Sequence, residues 1–175
     1  MEDRVCTDYE VVTAGTQAFE DGKWYVVLDP VARGTIAVGG VAHLILCDGA
    51  TLTVTGVDQP GILLDYGKSL TVCGQSGGSG TLEANGGTNS AGIGSGSRMS
   101  ATAGELTVDG GIVLATGQGL AAGIGGSDNN LGTIGWKGYG NGGRVTINGG
   151  RVTATPGYGG SRAVRAASAR RSPKS

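Results

Sequence analysis

The side chains able to do chemistry are few in this 175-residue chain, and they are scattered. His43 is the single histidine, at the head of an apolar run, and no serine, cysteine or carboxylate is spaced around it as a nucleophilic triad requires. Of the three cysteines, Cys47 follows Ile45-Leu46 and Cys73 follows Thr71-Val72, so the pair takes the same place in two similar segments. In a coiled architecture that places them one turn apart, within reach of a disulfide, or leaves two thiols in a polar ladder at a turn. Cys6 has no evident partner, and the three fit no zinc spacing. Carboxylates matter most for polysaccharide chemistry, where hydrolysis uses two of them on one face. Glu83 is the single acid at an outward strand position, with Asp109 at a turn and Asp128 in a loop, so no acidic pair emerges and no enzyme is expected. Asp48, Asp109, Asn148 and Asp128 offer oxygens to calcium, but their spacing matches no calcium loop, and no cofactor is called for.

A different chemistry is suggested by the stretch from Ser127 to Gly142, the longest insertion between repeats. Trp136 and Tyr139 offer flat apolar ring faces of the kind that stack on sugars. Asp128, Asn129 and Asn130 add groups that bond hydroxyls. These five residues form the candidate carbohydrate contact. The competing reading is a glycine loop with its tryptophan packed on the body. No Gly-Lys-Ser/Thr follows, which excludes a phosphate loop.

The elements that must carry these groups follow from composition and repetition. Glycine accounts for 37 residues and aromatics for 5%, with 38% hydrophobic residues rich in Val, Ile, Leu and Thr. So much glycine is incompatible with helices, it lacks the every-third-residue period of collagen, and the β-branched content argues against disorder. Gly104-Glu105-Leu106-Thr107-Val108-Asp109-Gly110-Gly111-Ile112-Val113-Leu114 realigns without gaps 39 residues on as Gly143-Arg144-Val145-Thr146-Ile147-Asn148-Gly149-Gly150-Arg151-Val152-Thr153. Looser copies start at Leu70 and Leu44, and each unit closes on a short element: Gly61-Ile62-Leu63, Ala91-Gly92-Ile93-Gly94 and Ala122-Gly123-Ile124-Gly125.

Three short alternating strands per unit predict an all-β parallel β-helix of about four to five coils. Four inward ladders are expected: Leu44–Leu70–Leu106–Val145, Leu46–Val72–Val108–Ile147, Leu52–Leu82–Val113–Val152 and Ile62–Ile93–Ile124, the last extending to Val164. The outward ladders are then Ile45–Thr71–Thr107–Thr146 and Thr53–Glu83–Leu114–Thr153. The rival fold is a sandwich of hairpins turned at Asp109-Gly110 and Asn148-Gly149. Residues 1–22 are expected to be a lead-in or cap, 23–160 the repeat domain and 161–175 a basic, disordered tail.

The repeats quoted above resemble the glycine-rich β-helix repeats of adhesin-like, carbohydrate-binding-domain-containing surface or secreted proteins of gut-type anaerobic bacteria. The resemblance implies a right-handed parallel β-helix and a non-enzymatic module for adhesion or structural display, with polysaccharide or host glycan as partner. It implies an extracellular or cell-surface place within a longer repeat chain. A pectate-lyase-like polysaccharide enzyme and a ligand-free spacer are the alternatives. Charge excludes other partners. Residues 1–161 carry 14 acids against 8 basic residues, and the remaining 5 basic residues sit in the Ser/Ala-rich end, so no basic face for nucleic acid is present. No apolar stretch is long enough to span a bilayer, and Met1-Glu2-Asp3-Arg4 is not the start of a signal peptide.

Overall fold

The computed structural model describes residues 7–96, 102–127 and 142–158. Sixteen short strands wind through three sheets, and every strand pairing is parallel. The first rung holds β1 (Glu10–Val11) and β2 (Ala18–Phe19), and the second holds β3 (Trp24–Val27), β4 (Val31–Arg33) and β5 (Ile36–Val38). The next three rungs are β6 (Val41–Leu46), β7 (Thr51–Thr55) and β8 (Ile62–Leu63); β9 (Ser69–Gly74), β10 (Thr81–Asn85) and β11 (Ile93–Gly94); and β12 (Glu105–Val108), β13 (Ile112–Thr116) and β14 (Ile124–Gly125). The last holds β15 (Arg144–Ile147) and β16 (Arg151–Thr155). The first sheet runs β1-β3-β6-β9-β12-β15, the second β4-β7-β10-β13-β16 and the third β2-β5-β8-β11-β14. This is a parallel β-helix with three strands per coil. The Asp-Gly and Asn-Gly pairs turn corners between the first two sheets instead of closing hairpins. The second glycine of each tight corner supplies the left-handed backbone, with φ 78° at Gly111 and 74° at Gly150.

No single coil can bury its apolar face, so stability comes from stacking each rung on the next. The core is a narrow column, with Leu44, Leu46, Leu52, Ile62, Leu70, Leu82, Ile93 and Leu106 all essentially inaccessible. Phe19 and Tyr25 plug its amino-terminal end, their ring centroids 4.6 Å apart.

Two of the four inward ladders stand as read: Leu52–Leu82–Val113–Val152, and Ile62–Ile93–Ile124 with Ile36 added in front. The other two are corrected by two residues at one junction. Ala42, not Leu44, pairs with Leu70, and Leu44 joins Tyr25, Val72, Val108 and Ile147. A two-residue slip returns the same residues to the same face, so alternation cannot detect it. Corner length decides it: Leu46 and Gly74 share a rung position, as do Thr51 and Thr81, so the β9–β10 corner holds two extra residues.

Candidate functional site

On the first sheet, the corrected register rebuilds the outward face. Its main ladder is Trp24–His43–Thr71–Thr107–Thr146, with His43 where Ile45 was expected. Beside it runs Val26–Ile45–Cys73, and Asp109 and Asn148 continue that line beyond the ends of β12 and β15. The Asn148 amide donates to Asp109 Oδ1 at 2.8 Å, across one coil. The indole of Trp24 lies flat on the imidazole of His43, centroids 4.2 Å apart and planes 13° apart. Extending the β1–β3 register by one residue sets Tyr9, which is 45% exposed, at the level of Trp24. The face thus opens with three aromatic residues and continues with three threonines.

This arrangement is suited to contact. Burial lowers the pKa of His43, partly offset by the Asp109 charge. Its Nδ1 is buried without a hydrogen-bond partner. On the second sheet the outward ladder is Ala32–Thr53–Glu83–Leu114–Thr153, and Glu83 accepts from the Thr53 hydroxyl at 3.2 Å. Among the described residues no three His, Cys, Asp or Glu side chains gather as metal ligands would.

The carboxylate held most firmly is Asp48, which the sequence offered only as an oxygen for calcium. Asp48 sits in the short β6–β7 corner, under the longer corner one coil on. Its Oδ2 accepts from Gly77 N–H at 2.9 Å, and its Oδ1 from Ser79 N–H at 3.1 Å and the Ser79 hydroxyl at 3.3 Å. The Asp48 N–H donates in turn to Gln75 Oε1 at 2.9 Å, and Gly49 N–H to Ser79 Oγ at 3.0 Å. These donors, Ser79 first, pull the Asp48 pKa down despite some desolvation. The role is structural, because the carboxylate ties two corners of unequal length together. Comparing those corner lengths was the signal that would have found it.

The register sets Cys73 against Ile45, two residues short of Cys47, so the two cysteines do not share a rung position as the spacing suggested. Burial first, and then the Asp48 charge, push the Cys47 thiol up, which makes it a weak nucleophile. Asp128, Asn129, Asn130, Trp136 and Tyr139 all lie outside the described residues, as do Cys6, Val164 and the basic tail. No helix among the described residues is long and apolar enough to cross a membrane. No protein-family model matches the chain, and neither the curated proteins nor the solved structures give a match.

Proposed function

We propose that the chain is a non-enzymatic display and adhesion module of a bacterial surface or secreted protein, with carbohydrate as its ligand. The observation that supports this best is the in-register outward ladder of the first sheet, Trp24–His43–Thr71–Thr107–Thr146. Ring faces and hydroxyls recur at the rung spacing of about 4.8 Å along a rigid rod, a surface that an extended sugar chain can follow. The one outward carboxylate of the second sheet's central ladder is bonded to a threonine, as a wall residue would be. From the sequence, Trp136 and Tyr139 with Asp128, Asn129 and Asn130 supply a further contact.

A glycan array tests the reading with three proteins: wild type, Trp24→Ala, and the double variant Trp136→Ala, Tyr139→Ala. Wild-type signal lost in one variant locates the ligand on the ladder or on the insertion. Wild type binding no glycan overturns the carbohydrate reading and leaves a spacer. Release of oligosaccharide from any polysaccharide tested would favour the enzyme alternative.

A further inference from the structure

We propose that the coil stacks head to tail on a second copy of itself, the carboxyl-terminal rung of one chain seating on the amino-terminal rung of the next. The two ends are built differently and complement one another. At the carboxyl-terminal end, β15 and β16 are the last strands of their sheets. Their inward residues Val145, Ile147 and Ala154 are only partly buried, whereas Leu106, Val108 and Ala115, one rung inside, are fully buried. Among the described residues, this last rung of half-covered apolar side chains lacks the neighbour that every interior rung has.

At the amino-terminal end, the first rung gives a strand to the first and third sheets but none to the second, so β4 begins that sheet with an edge no described strand pairs. Beside that edge lies a groove of about 390 Å³ lined by Val11, Val12, Leu28, Pro30 and Val31, among others. Val11 and Leu28 are 44% and 47% exposed. A strand edge beside an apolar groove is a template for strand addition. Because all pairings are parallel, a last rung of the same direction continues the first sheet from β1 and offers β16 toward the open edge of β4.

Charge selects the occupant. Residues 7–22 carry four acids, Asp8, Glu10, Glu20 and Asp21, and no basic residue. Lys23 offsets part of this through ion pairs with Glu10 and Glu20. Residues 142–158 carry Arg144 and Arg151 and no acid. The contrast widens along the sequence, since residues 129–175 hold eight basic residues and no acid. An acidic, grooved end thus fits the basic end of an identical chain, whose last described rung is half-covered, and fits another acidic end badly. Such a heterologous contact propagates as an open rod. Its attraction acts within about 10 Å at moderate salt, so added salt weakens it.

Sedimentation velocity of the full chain over a concentration series, at low and high salt, tests the proposal. The wild type is expected to gain average mass with concentration and to lose that gain at high salt. Two charge-reversed chains, Arg144→Glu with Arg151→Glu and Glu10→Lys with Glu20→Lys, should each associate at least about tenfold more weakly alone. Mixed in equal amounts they should associate again, because each reversed end then meets its opposite. Circular dichroism checks that both retain strand structure, and if one does not, the salt series and the other variant decide. A wild type that stays monomeric throughout overturns the proposal, as it would if residues 159–175 of the same chain covered the end. Association unaffected by either reversal overturns it too.

Discussion

Replacing Ser127 by alanine should unfasten the short third sheet between two coils. The Ser127 hydroxyl donates to the Ser95 carbonyl at 2.6 Å and accepts from the Ala91 N–H at 2.9 Å. All three residues are buried, with Ser127 4% exposed and the other two inaccessible. The change removes a single oxygen, and with it the acceptor of the Ala91 N–H and the hydroxyl donor to the Ser95 carbonyl. Each lost bond costs about 1–3 kcal/mol, and the alanine regains about 1 kcal/mol by burying no hydroxyl, so the net loss is about 1–5 kcal/mol. At a denaturant slope of about 2 kcal/mol per molar urea, the unfolding midpoint should fall by about 0.5–2.5 M. Amide exchange gives the local readout, because the Ala91 N–H should lose protection well before amides of β6 or β7. A companion change, Ser90→Ala, removes a hydroxyl that donates only to the Thr88 carbonyl at 3.1 Å and should cost no more than about 1.5 kcal/mol. A Ser127→Ala protein within about 0.5 kcal/mol of wild type, with Ala91 exchange unchanged, would refute the reasoning.

Further outcomes follow from the same packing. A methyl at Gly94, where φ is 155°, would overlap the Gly125 carbonyl oxygen of the next coil. Gly94→Ala should therefore cost about 2–5 kcal/mol in a melt of equilibrium stability, with the loss centred on β11 and β14. Leu82→Ala empties a fully buried ladder position and should cost about 2.7–5 kcal/mol by urea unfolding, while Thr107→Ala on the outward face should stay within about 0.5 kcal/mol. Asp48 has a folded pKa below its ordinary 3.8, so its stabilisation is present above that value and lost as pH falls through the lowered one. The melting temperature of wild type should drop across that acid range, and Asp48→Asn should lower it near neutrality while flattening the drop.

Much of the fold was legible because the signal is local and repeated. Ile62, Ile93 and Ile124 sit in nearly identical words, Gly-Ile-Leu or Gly-Ile-Gly, and each word leaves one apolar residue to point inward; the structure stacks them directly. The 39-residue alignment of Leu106 with Val145 holds because both coils turn the same tight corner. The misplacement of Leu44 against Leu70 has a physical cause. Side-chain period fixes the face but not the step along it, and the step was set by the Gln75–Ser79 corner and its Asp48 bonds. The Trp24–His43 stack went unread because the short early coil gave no repeat to align, so no register set Trp24 beside His43. Asp109 and Asn148, by contrast, were placed on adjacent coils by spacing alone, and their hydrogen bond spans that step.

The rung-on-rung stacking also governs how the molecule bears load. Each sheet bonds only neighbouring coils, so β1 and β15, the end strands of the first sheet, stand at its opposite edges. Tension applied through them acts along the rod, where hydrogen bonds break by opening one rung at a time and do not shear together. Freeing the coil from Leu70 to Leu106 releases 36 residues and about 120 Å of slack. Under a pulling tip the chain should therefore lengthen in successive low-force steps of unequal size, each set by one coil. A single high-force rupture would show that the coils break together. Stepwise yielding would let a tethered rod absorb extension and rewind when the strain is relieved.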